Sequence, residues 1–140
     1  MKRLIGTLVL IGVVCTVAGV GAHEKHKHGN APAATPAVPR AEVKKVDLTG
    51  ELIDPQCWFT HNGEGKGHAK CAVMCARGGQ DLAFLDSATG RVHTLIAAGH
   101  GKNPNDGLYD HVGLPVRIRG TLYQRGANTG LLLESVVKAK

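Results

Sequence analysis

Aromatic residues are scarce in this chain, with one Trp, two Tyr and two Phe among 140 residues. Proteins that bind single-stranded nucleic acid stack bases on exposed aromatics over a concentrated basic surface. Here the basic excess is modest (formal net charge +6) and spread along the chain, which argues against a nucleic-acid partner. No GxSxG elbow, no Walker loop and no CxxCH haem motif occurs. No carboxylate pair stands out either, since Asp106 and Asp110 are accounted for as a helix cap and a solvated face. Hydrolytic, phosphate-transfer and c-type haem chemistry therefore lack the residues they need.

Long apolar runs are also few. The one such run, Leu4 to Val20, follows Lys2 and Arg3 and ends in the small residues Val20-Gly21-Ala22. This order predicts an export signal over residues 1–22 cleaved after Ala22. An uncleaved anchor is the alternative, because about 18 apolar residues can just span a bilayer; a lipoprotein site at Cys15 is a weaker match, Val14 replacing the usual small residue. A periplasmic or secreted location follows from the signal reading. Membrane attachment follows only from the anchor.

Residues 23–42 show no apolar periodicity. The tract HEKHKH offers His23, His26 and His28 as a possible secondary site for Cu, Ni or Zn, and cleavage after Ala22 would add the terminal amine beside His23. The same tract also reads as a solvated cationic tail. The prolines and small residues that follow predict a disordered linker.

From Val43 onward the pattern becomes that of a single folded domain, residues 43–140. VKKVDLTGELID reads as a first strand with Gly50 at a bulge or tight bend, ended by Asp54-Pro55. After a glycine-rich loop from Thr60 to Gly67, HAKCAVMCARGG reads as a short helix stopped at Gly78 or Gly79. DLAFLD and RVHTLIA form two strands joined at Ser87 to Gly90. Asp106 to Val112 gives one helical turn, and PVRIRGTLYQ and TGLLLESVVKAK make a terminal hairpin. The expected fold is mainly β, a small five-stranded OB-like barrel with one short helix after strand 1, and a small β-sandwich is the alternative.

Chemistry concentrates between Cys57 and Cys75. At about 100° per residue, His68, Cys71 and Cys75 fall within about 60° of one another on the helix. Residues four apart on a helix have Cβ atoms about 5–6 Å apart, whereas a disulfide needs about 3.5–4.5 Å, so an intact helix resists a Cys71–Cys75 bond. Two thiolates on one metal need sulfurs only about 3.8 Å apart, at about 2.3 Å from the ion. The spacing therefore points to one ion, Zn or Cu(I), held by Cys57, His68, Cys71 and Cys75; His61 joins His23, His26 and His28 only as a possible secondary ligand and otherwise reads as a loop residue. Two alternatives stay open: a disulfide from Cys57 to the helix, as is usual in exported proteins, and a redox-active dithiol whose thiolate is activated by the helix N-terminus, His68 and Lys70. His93, His100 and His111 read as structural, Met74 as core filler, and Trp58 with Phe59 as a lid.

Gly50-Glu51-x-x-Asp54-x-x-Cys57, then His68-x-x-Cys71-Ala72-x-x-Cys75-Ala76 and Gly78-Gly79 ahead of a strand-rich tail, resembles a family of small exported bacterial OB-like β-barrel proteins with a C-x10-H-x2-C-x3-C core. The resemblance spans Val43 to Lys140 and brings no established activity with it. CAVMC alone also looks like the CxxxC of Sco-type copper-delivery proteins, whose thioredoxin-like fold this chain is too short and too strand-rich to build. Two functions follow as expectations. One is an exported module that captures or passes a thiophilic metal, with another periplasmic or membrane protein as donor or acceptor. The other is a small thiol–disulfide enzyme.

Overall fold

The computed structural model describes residues 40–140. The expected export signal, His23, His26, His28 and nearly all of the linker lie outside the described residues. Strand β1 (Glu42–Ile53) is followed by helices α1 (Pro55–His61) and α2 (Ala69–Arg77). Strands β2 (Ala83–Asp86) and β3 (Val92–Leu95), a 3-10 turn at Tyr109–His111, β4 (Pro115–Arg125) and β5 (Asn128–Lys138) complete the domain.

The strands close into a barrel in the order β1-β2-β3-β5-β4. β1 is long enough to serve two partners: Glu42 to Glu51 pair antiparallel with β4, and Gly50 to Ile53 pair antiparallel with β2. The barrel closes where β3 meets β5 in parallel, Thr94 opposite Gly130 and Leu95 opposite Leu131. This is the expected OB-like barrel. A sandwich would leave two open sheets, and continuous pairing from β1 round to β4 rules it out.

Alternation explains the wall. In β4, Val116 and Ile118 are fully buried while Arg117 and Arg119 reach solvent, where both grip Asp47 of β1. The inward residues Leu52, Phe84, Leu95, Val116, Ile118 and Leu131 fill the interior. Burial of each stabilises the fold by about 1.5–3 kcal/mol.

Three expectations need correction. Gly50 sits in uninterrupted pairing, and the register shift lies instead between Arg119 and Gly120. A side chain at Gly50 would run into the Leu85 carbonyl and stand 2.6 Å from the Phe84 ring, so glycine there permits β1 to pass from β4 to β2 beneath that ring. Two helices, not one, separate β1 from β2, and α1 takes in Thr60 and His61 from the expected loop. Met74 is 67% exposed, so it does not fill the core; of the expected lid, Phe59 is 72% exposed and Trp58 half-buried. No helix among the described residues is long and apolar enough to cross a membrane.

Candidate metal centre

The site is built on the rim where β1 ends. Asp54 caps α1: its Oδ1 accepts from the backbone N–H groups of Gln56 (2.9 Å) and Cys57 (3.4 Å), and Pro55 occupies the first helical position, where no N–H is needed. This cap turns the chain so that Cys57, in the first turn, points inward and is 7% exposed. α1 stops at Asn62, whose left-handed φ of 55° lets Asn62 and Gly63 donate back to the carbonyls of Trp58 and Cys57.

The chain then folds over Cys57. Glu51 Oε1 accepts from the Gly65 N–H at 2.6 Å, and burial pushes the Glu51 carboxyl up while that bond opposes it. On the other side Gly113 fits so closely that a β-carbon there would stand 2.7 Å from both the Gly65 oxygen and the Ala69 Cβ. The loop is thus clamped between β1 and the segment after the 3-10 turn, which itself bonds to β1 through Gly113 N–H and the Leu52 carbonyl. α2 leaves this clamp with Ala72 and Ala76 buried against the core and Cys71 and Cys75 half-buried.

Two ligand sets result. The ligand atoms of Cys57, Cys71 and Cys75 all lie within 4.8 Å of one another, and so do those of Cys57, His61 and His68. Cys57 belongs to both. His68, expected beside Cys71 and Cys75, is grouped instead with His61, their rings 5.2 Å apart. Cys57, Cys71 and Cys75 are all free thiols.

The nitrogens are prepared as ligands. His68 Nε2 is buried without a hydrogen-bond partner. Thr60 Oγ1 donates to the Gln56 carbonyl at 2.8 Å and also lies 2.9 Å from His61 Nδ1, a contact that ties down one ring nitrogen and leaves Nε2 without a protein partner in that geometry. A hydrogen bond on one ring nitrogen that frees the other is the usual support of a metal-binding imidazole.

Asp54 supplies the electrostatics. It is fully buried and its Oδ2 lacks a hydrogen bond of good geometry. Burial alone would raise its pKa, but the Cys57 and Cys75 thiols and the capped N–H groups outweigh this and hold it low. In return the Asp54 carboxylate, helped by burial and by Cys71, pushes Cys57 up to about 12 and raises Cys75 as well. A protonated, carboxylate-facing thiol is a poor free nucleophile, yet a cation that displaces the protons relieves the crowded negative charge. The donor set therefore fits a thiophilic cation.

Among the described residues, His93, His100 and His111 belong to neither ligand set. His93 is a buried wall residue, its Nδ1 2.7 Å from Thr129 Oγ1 and its ring stacked on Phe84. α1, the capping role of Asp54 and the pairing of His61 with Cys57 are not among the sequence expectations. The readable signals were Asp54-Pro55, a cap followed by a first-turn proline, and the i, i+4 spacing of Cys57 and His61. Comparison with protein-family models, curated proteins and solved structures finds no match to this chain.

Proposed function

We propose that this protein is an exported metal-binding module, periplasmic or secreted, that holds a thiophilic transition metal, Zn or Cu, through Cys57, Cys71 and Cys75 with histidine support. The observation that carries this reading is the convergence of three free thiols within 4.8 Å of one another at the barrel rim. Metal–sulfur bonds of about 2.3 Å need sulfurs about 3.8 Å apart, which small side-chain rotations reach from here. The tract at His23, His26 and His28 serves in this reading as a weak collector. Phe59 on α1 and Met74 on α2 leave large apolar side chains in solvent on the two ligand-bearing helices, a surface that a donor or acceptor protein would cover.

A thiol–disulfide enzyme is the second reading, and the electrostatics at Cys57 and Cys75 favour the first. Such an enzyme needs a thiolate at neutral pH, whereas Asp54 raises both Cys57 and Cys75. Elemental analysis with free-thiol counting, on protein purified from the periplasm without added metal, tests the proposal. Stoichiometric Zn or Cu with all three thiols recovered in denaturant and chelator supports it. No metal and one free thiol would mean that Cys57 is bonded to α2 and that the binding reading fails.

A further inference from the structure

Resting on that reading, we infer that the centre holds two divalent thiophilic cations bridged by the Cys57 thiolate, one completed by Cys71 and Cys75 and the other by His61 and His68. Five ligand atoms converge, and Cys57 alone belongs to both sets of three. A tetrahedral ion takes four ligands, so one ion cannot use all five. Two ions that share one sulfur use every one of them, each with three protein ligands and a fourth position open to water or to an incoming ligand.

Charge leads to the same count. Once their protons are displaced, Cys57, Cys71 and Cys75 carry three negative charges, and the buried Asp54 carboxylate beside them carries a fourth, with Oδ2 unpartnered. One divalent ion would leave two negative charges uncompensated at a largely buried site, a costly arrangement. Two divalent ions balance all four. Two monovalent Cu(I) ions would not, so the charge selects Zn²⁺-like cations for the paired state.

The histidine side has its own preparation. His68 Nε2 is buried and unpartnered, His61 Nδ1 is held 2.9 Å from Thr60 Oγ1, and Gly63 passes where any side chain would meet both Cys57 and His68. His61 is exposed and Cys57 is buried, so this set runs from solvent to the shared sulfur. The outer ion therefore exchanges with solution more readily than the inner one.

The test is native mass spectrometry of the reduced, chelator-stripped full chain titrated with Zn²⁺, in a background of His23→Ala, His26→Ala and His28→Ala so that the N-terminal tract contributes nothing. Two ions are expected, falling to one in His61→Ala, whose exposed side chain can be lost without disturbing the core, and to one in Cys71→Ser/Cys75→Ser. Co²⁺ in place of Zn²⁺ adds a second readout: the second equivalent should reduce the paramagnetism of the first through the bridging sulfur. A single ion in the parent chain, or two that survive His61→Ala, overturns the paired centre and leaves the thiol site standing. No ion at all overturns both.

Discussion

A β-carbon at Gly63 would stand 2.8 Å from His68 Nε2 and 2.8 Å from Cys57 Cβ, so the bare backbone of residue 63 is what allows these two candidate ligands to meet. Cys57 Cβ is fixed by α1, so the strain falls on the His68 ring. Gly63→Ala is expected to destabilise the domain by about 1–3 kcal/mol and to weaken metal binding on the histidine side, with Cys71 and Cys75 still engaged. Denaturant melts and Zn²⁺ titration of the purified variant measure the two effects separately.

Asp54 has two roles that substitution can separate. Asn caps a helix about as well as Asp, whereas Ala removes the cap at a cost of about 0.5–2 kcal/mol. Asp54→Asn should keep α1 and lose the charge that holds Cys57 and Cys75 up, so both thiols in the metal-free chain should alkylate faster at pH 8. Asp54→Ala should show the same acceleration together with a lower midpoint in denaturant. Timed iodoacetamide labelling read by peptide mass spectrometry tells the variants apart; unchanged labelling rates would refute the assigned role of the carboxylate.

Stability of the metal-free protein should fall in alkali because of Cys57. Its folded pKa, about 12, lies above the ordinary 9.0, so the folded state binds this proton more tightly than the unfolded chain does. The resulting stabilisation is complete below pH 9 and is lost as pH rises from 9 toward 12. Cys57→Ser should show a shallower decline over that range. Metal uptake at neutral pH should release protons, and affinity should rise with pH, which calorimetry in buffers of different ionisation enthalpy would register.

Asn105 holds the chain that leaves α2. It is 1% exposed, its Oδ1 accepts from the Leu82 N–H at 2.8 Å, and its Nδ2 donates to the Gln80 carbonyl at 2.8 Å. Asn105→Ala strands two buried backbone groups at about 1–3 kcal/mol each. Asn105→Asp, which keeps the acceptor but sets a buried carboxylate against the Gln80 carbonyl, should melt at least as low as Ala at neutral pH and recover part of the loss as the pH is lowered.

Much of the fold was legible because its signals are local. Alternation in Val116 to Leu122, the helix around Cys71 and Cys75 with its glycine stop, and the turn at Gly90 each depend on neighbours a few residues away. α1 was missed because Asp54-Pro55 ends a strand and begins a helix equally well. Gly50 reads as a bulge or tight bend, since no sequence pattern shows that the Phe84 ring will lie across it. Met74 reads as core because a helix methionine is more often core filler, but a nine-residue helix seated by two alanines buries only a narrow stripe, and the width of that stripe is set by what it packs against.

The sequence alone determined the strand periods, the second helix and the crowding of cysteine and histidine into one window, because propensity and spacing act over single turns. The tertiary structure decided which of those ligands meet. The clamp of Glu51 and Gly113 on the loop, the cap at Asp54 and the bare backbone at Gly63 bring Cys57 between a histidine pair and a cysteine pair. The clamp joins residues far apart in the chain, Glu51 to Gly65 and Gly113 to Ala69, so it exists only after the barrel has closed and fixed where its rim lies; the cap and the glycine are local, and the clamp sets where they place Cys57.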